Sequence, residues 1–246
     1  MKKENIDTTQ IAKRVLNLII LDESGSMHSI KTAAVNGMNE TLQSISNAQK
    51  KHEDQEHFVS LVTFNDDVKT IYECVPVDEV KELTADTYQP DCCTALYDAM
   101  GISLNALRKK VAEDDKVLVT VVTDGYENAS KEYSGKAIKA LVDELKAKGW
   151  VFAYIGANQD VEKVAGEMGI RNSLCFSASA EETNAMFAKE RRCRSKYYSV
   201  MCAEMQSPSS SMTESTNYFA DCDDNVNEDS SPKSKSKSLK DWLFGK

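Results

Sequence analysis

No run of apolar residues in this chain approaches the roughly 18 to 20 needed to cross a bilayer, so no helical membrane span is expected. The opening stretch, MKKENIDTTQIAKR, also lacks the ~7 to 15 apolar residues of a secretory signal, which makes the cytoplasm the expected compartment. Histidine is scarce: His28, His52 and His57 are too few and too dispersed to suggest catalysis. The seven cysteines (Cys74, Cys92, Cys93, Cys175, Cys193, Cys202, Cys222) contain no CxxC pair for zinc, and reduced thiols are expected. Neither a GxGxxG nor a GK[ST] loop follows the first expected strand, which removes the common nucleotide-binding readings. Excess basic charge is missing too. With a formal net charge of −9, the chain is a poor match for phosphate backbones, so nucleic-acid binding is not expected.

What the sequence does contain is an alternation of β-rich apolar runs and amphipathic segments from Arg14 to about Gln206. That pattern predicts an α/β fold, a doubly wound and mostly parallel six-stranded sheet with helices on both faces. VLNLIILD (Val15 to Asp22) and KVLVTVVTDG (Lys116 to Gly125) are almost continuously apolar, as buried central strands are. HFVSLVTFND and VKTIYECVPVDEV are separated by almost nothing, so the second of the pair must turn back as an antiparallel edge strand. Further strands are expected at WVFAYIGAN and SLCFSA. Helices are expected at about Ser29 to Gln49, from near Thr94, over SGKAIKALVDELKAKG, from Val161 to Met168, and from about Ala180 to Met205. Residues 1–13 form an extension. Residues 207–246 are rich in Ser, Asp and Asn and predict a disordered tail with a terminal apolar motif at Trp242, Leu243 and Phe244.

In an open α/β sheet the binding crevice lies beyond the carboxyl ends of the central strands. Three polar clusters fall there: Asp22, Ser24 and Ser26 in LDESGSM, Thr94 at the mouth of a helix, and Asp124 at the end of VVTD. Alternate side chains of an extended turn point the same way, so the DxSxS spacing aims one carboxylate and two hydroxyls at a common point. All these donors are hard oxygens, which suit Mg²⁺, with Mn²⁺ or Ca²⁺ as substitutes, and disfavour zinc. Each element also reads as an ordinary turn or helix cap when taken alone.

DESGS, the threonine of CTALYDAM and the TDG after a buried strand together resemble the von Willebrand factor type A (VWA) domain and its metal-ion-dependent adhesion site. The resemblance covers roughly residues 14 to 206 and extends to stand-alone bacterial and phage-like members. It implies that Ser24, Ser26 and Thr94 approach the metal directly while Asp22 and Asp124 hold its waters. The remaining position would then go to an Asp or Glu carboxylate of a partner protein. Asp91, Gly125 and Asn158 are expected at the rim. The chain departs from the family before Thr94, where relatives often carry glycines and this sequence has Asp91, Cys92 and Cys93.

A metal-dependent protein-binding module, acting as adaptor or scaffold, is therefore the expected function. One alternative is a Mg²⁺-dependent phosphohydrolase of the haloacid dehalogenase type, but Ser24 stands where such enzymes place a second carboxylate. Another is an accessory subunit of an ATPase or chelatase-like machine. The basic stretch KERRCRSKYY reads as a solvated helix face, and the adjacent Cys92 and Cys93 as buried or idle thiols.

Overall fold

The structure, a computed structural model, describes residues 12–206 and 218–219. Among the described residues six strands and five α-helices follow in the order β1 (Lys13–Asp22), α1 (Lys31–Lys51), β2 (Gln55–Phe64), β3 (Val68–Pro76), α2 (Leu96–Leu107), β4 (Lys116–Thr123), α3 (Gly135–Lys146), β5 (Val151–Ala157), α4 (Val161–Glu167), β6 (Ser173–Phe176) and α5 (Ala180–Gln206). The sheet order is β3-β2-β1-β4-β5-β6, with only the β2–β3 pair antiparallel. β1 and β4 lie side by side at the centre although four elements separate them in sequence. The chain winds outward from β1 to one edge, returns, and winds outward from β4 to the other. The seam between them is the switch point at which such sheets bind ligands.

Burial explains why both central strands read as unbroken apolar runs. Along β1, Val15, Ile19 and Leu21 face a core shared with α1 and α5, while Leu16, Leu18 and Ile20 face one shared with α2, α3 and α4. Both faces are covered, so no position along the strand needs a polar residue for solvent. Asn17 is the exception, and it is fully engaged in a buried network described below.

Where the elements end follows from local chemistry. β3 stops at Pro76, which has no N–H to donate to the ladder, and a short 3₁₀ turn (Val77–Glu79) follows; the strand expected to reach Val80 is therefore shorter. Ser134 caps α3, its hydroxyl accepting the Ala137 N–H at 3.3 Å. Gly149 ends the same segment at φ 84°, a left-handed conformation that glycine adopts without a Cβ clash. No described helix is long and apolar enough to cross a membrane.

Two expectations need correction. The first is that all thiols are reduced: Cys74, Cys92, Cys93 and Cys175 are free, but the buried Cys193 is disulfide-bonded. The second concerns the tail, most of which lies outside the described residues, as does the extension up to residue 11. Tyr218 and Phe219 are buried and belong to the core on the α1 and α5 side. The Tyr218 ring lies 6.0 Å from that of Tyr197, and its hydroxyl donates to Glu190 at 3.1 Å. At these two positions the chain is packed, because two aromatic rings bury enough apolar surface to offset their ordering.

Candidate functional site

β1 and β4 deliver their last residues to the same place. Asp22 ends β1 and is fully buried; one of its oxygens accepts the Ser24 N–H at 2.7 Å and the other accepts the hydroxyl of Thr123, the last residue of β4, at 2.5 Å. The first bond shapes the turn. The second ties the two strand ends together. Tyr88, also fully buried, donates its hydroxyl to the Asp22 carbonyl at 2.5 Å and closes the site from the α1 side.

The turn after β1 brings the two serines together, with Ser24 Oγ and Ser26 Oγ 3.2 Å apart. Ser26 in turn donates to Asp124 Oδ1 at 2.5 Å. Asp124 Oδ2 has no hydrogen-bond partner although the residue is only 2% exposed. A buried carboxylate oxygen without a partner is expensive, and carboxylates so placed normally meet a cation or a bound water. Gly125 extends the cluster to Thr94: a Cβ added at Gly125 would stand 3.3 Å from Thr94 Oγ1 and 3.6 Å from Ser26 Oγ. Asp22, Ser24, Ser26, Thr94 and Asp124 are thus brought to one pocket, four of them at most 3% exposed.

Simple capping does not account for these side chains. Ser24 precedes the 3₁₀ turn and makes no side-chain cap bond, and the residue before α2 is Ala95, not Thr94. Asp160 does cap its helix, accepting the Lys163 N–H at 3.3 Å. Of the rim residues, Gly125 lines the pocket, and the Asn158 amide donates to the Asp124 carbonyl at 3.4 Å. Asp91 is exposed and turned onto its own loop, accepting the Cys92 N–H. Tyr126 is 55% exposed, the one strongly exposed large hydrophobic side chain among the described residues, and its hydroxyl accepts the Asp160 N–H at 3.3 Å.

Electrostatics follow from this burial. Removal from water pushes the Asp22 carboxyl up to about 6, against the pull of its Thr123 and Ser24 hydrogen bonds. Burial also raises Asp124, opposed by the Ser26 hydroxyl. Both carboxyls are thus held above their ordinary range, each with a serine hydroxyl hydrogen-bonded to it.

Several positioning residues were not evident from the sequence. Asn128 clamps Thr94 twice, its side-chain oxygen accepting the Thr94 N–H at 2.9 Å and its own N–H donating to the Thr94 carbonyl at 3.0 Å. Glu127 accepts the Tyr97, Ala129 and Ser130 N–H groups, and Asp98 those of Lys131, Glu132 and Tyr133. These carboxylates bind the β4–α3 loop to the start of α2. The Glu23 side chain accepts the Gln89 N–H. An acidic residue answering backbone amides across a loop leaves no periodic trace in sequence.

The family model of the von Willebrand factor type A domain matches residues 18–190, well over half of the chain. The chain belongs to the VWA family. VWA domains are in general protein-interaction modules. Among solved structures the fold is similar to the PilB minor pilin of Streptococcus sanguinis (TM-score 0.56, 13% identity), covering 78% of this chain and 64% of that one. It is also similar to the pilus adhesin SpaC of Lactobacillus rhamnosus GG (TM-score 0.55, 16% identity), covering 76% of this chain and 31% of that one. A third likeness is to the ArnB paralog VWA2 of Sulfolobus acidocaldarius (TM-score 0.50, 15% identity; 73% and 46% covered). At such identities these likenesses concern the VWA fold alone, and this chain spans less than two thirds of each of those proteins. A search of curated proteins finds no match to the sequence.

Proposed function

We propose that this VWA domain is a divalent-cation-dependent protein-binding module, with Mg²⁺ the preferred ion and Mn²⁺ or Ca²⁺ able to replace it. The observation that carries the reading is the unpartnered, buried Asp124 Oδ2 beside the converging hydroxyls of Ser24, Ser26 and Thr94. The donor set suits a hard cation and supplies two carboxylates, Asp22 and Asp124, while Glu23 is engaged by the Gln89 N–H and Asp91 in its own loop. Ser24, Ser26 and Thr94 would hold the ion, and Asp22 and Asp124 would steady its waters. When bound, the cation supplies positive charge that neutral hydroxyls leave largely unquenched, and that charge attracts a carboxylate of a partner protein. The chain's own part is to orient the hydroxyls, exclude water from Asp22, and present Tyr126 beside the pocket as an aromatic contact for that partner. We read the protein as an adaptor or scaffold in the cytoplasm and not as an enzyme. A phosphohydrolase would need a second carboxylate where Ser24 stands.

The test is calorimetric titration of Mg²⁺ and Mn²⁺ into the metal-stripped chain and into a Ser26→Ala, Thr94→Ala variant, with thermal unfolding followed in both. Saturable binding by the wild type that disappears in an equally stable variant supports the reading. Equal affinities in the two would remove these hydroxyls from the site. A capture experiment from lysate in Mg²⁺ and in chelator then seeks the acidic partner.

A further inference from the structure

The loop that leads into Thr94 carries two adjacent thiols, Cys92 and Cys93, both free and both exposed, so of the expected buried or idle state only the buried half is set aside. The loop is fastened on each side of them. The Asp91 N–H donates to the Glu23 carbonyl at 2.9 Å, and the Ala95 N–H to the Asn65 carbonyl at 2.6 Å. Between these ties the Cys92 carbonyl accepts the Gly25 N–H at 3.2 Å, the one backbone bond from the thiol pair to the turn that bears Ser24 and Ser26. Cys92 itself sits at φ 62°, a left-handed conformation unfavourable for a residue with a side chain.

We propose that Cys92 and Cys93 are a modification site: a low-molecular-weight disulfide oxidant closes them into a reversible vicinal disulfide, which releases Gly25 and loosens the cation pocket. The cation half of this proposal rests on the function proposed above, and the thiol half does not. The chemistry balances as dithiol plus disulfide going to cyclic disulfide plus two released thiols. One protein sulfur attacks the oxidant and expels its first thiol; the neighbouring sulfur then attacks the mixed disulfide and expels the second, and each protein sulfur gives up its proton.

Three observations favour closure and link it to the pocket. The peptide carbon of Cys92 becomes a member of the new ring, so its carbonyl cannot keep an independent orientation, and that carbonyl is the acceptor for Gly25. Adjacent Cα atoms stand about 3.8 Å apart, below the usual ~4.4 to 6.8 Å of a relaxed disulfide, so the bond is strained and easily reduced, as a reversible device requires. Cys193 is disulfide-bonded, so the chain carries one oxidised cysteine besides the free pair.

The experiment treats the full chain with oxidised glutathione and maps its peptides by mass spectrometry. Hydrogen exchange at the Gly25 amide and Mn²⁺ binding by electron paramagnetic resonance are followed in parallel. The expected result is a peptide holding Cys92 and Cys93 that is lighter by two hydrogens, a faster-exchanging Gly25 amide, and Mn²⁺ affinity lower by about tenfold, the scale of one lost hydrogen bond. All three should revert with dithiothreitol and be absent in Cys93→Ser. Two separate glutathione adducts, or linkage of either cysteine to another residue, would overturn the ring. A closed ring with an unchanged Gly25 amide would overturn its link to the pocket. Ring closure with a freed Gly25 amide in a chain that never binds Mn²⁺ would keep the thiol device and sink the cation reading instead.

Discussion

Asp22 takes a carboxylate out of water without giving it a fixed positive partner among its hydrogen bonds, and burial therefore raises it to about 6 from 3.8. Between those values the folded, cation-free chain holds a proton that the unfolded chain has lost. The group thus contributes stability that is full below about 4 and is lost as pH rises through about 6, by roughly 3 kcal/mol at most. His57 acts in the opposite sense. Burial, and next the charge of Arg194, lower it to about 4 from 6.5, so its contribution is complete above 6.5 and is lost as pH falls toward 4. The two oppose each other over one window, and single variants separate them: Asp22→Asn should steepen the fall in melting temperature on acidification, and His57→Gln should flatten it. On the proposed cation reading, binding must expel the Asp22 proton below about 6, so calorimetry at pH 5.5 in buffers of different ionisation heat should report release of most of one proton per ion. Asp22, Ser24 and Ser26 were legible in the sequence because three neighbours in one turn keep their spacing whatever the rest of the chain does. Asn128 and Thr123 were not, since their bonds to Thr94 and Asp22 join partners that the fold brings from 34 and 101 positions away.

Helices and strands were legible where burial is one-sided or complete, and less so where single residues decide an end. The apolar stripe Leu96, Met100, Leu104 and Leu107 foretold α2, and all four side chains are buried. Its start lies two residues beyond Thr94, because Thr94 is held in the loop by Asn128 instead of opening the helix. Close packing between elements has no such signature. A Cβ at Gly37 in α1 would fall 2.1 Å from the Phe187 ring of α5, so the two helices approach closely only because that residue is glycine. Gly37→Ala should force the ring or the helix aside and cost about 1 to 3 kcal/mol in urea denaturation. Mn²⁺ affinity should stay unchanged, since neither residue belongs to the pocket.

Across the whole molecule, the polar centre beneath the sheet is the feature the sequence disguised. KERRCRSKYY reads as a solvated basic face, and part of it is, but Arg194 is fully buried. Its guanidinium pairs with Glu190 at 2.7 Å and reaches Asn17 of β1 at 3.1 Å and Thr120 of β4 at 2.7 Å. Helical periodicity placed the residue on α5 but could not say that a sheet with two inward polar side chains awaited it. Arg194→Ala leaves Glu190 charged and uncompensated and should cost roughly 3 to 5 kcal/mol; Glu190→Gln with Arg194→Met should recover most of that loss in the same denaturation assay.

The same guanidinium also orders events in time. Arg194 meets Asn17 across 177 positions of sequence, and the Tyr198 hydroxyl meets it across 181. Contacts of such range form late, after the loops between them have closed. As the chain leaves the ribosome, β1 and β4 can pair once Thr123 is out, yet Asn17 and Thr120 stay without their buried partner until α5 follows. A nascent chain halted before α5 therefore holds the residues of the pocket on a sheet whose centre is still unsatisfied, and it is at that stage that a chaperone would find it most exposed.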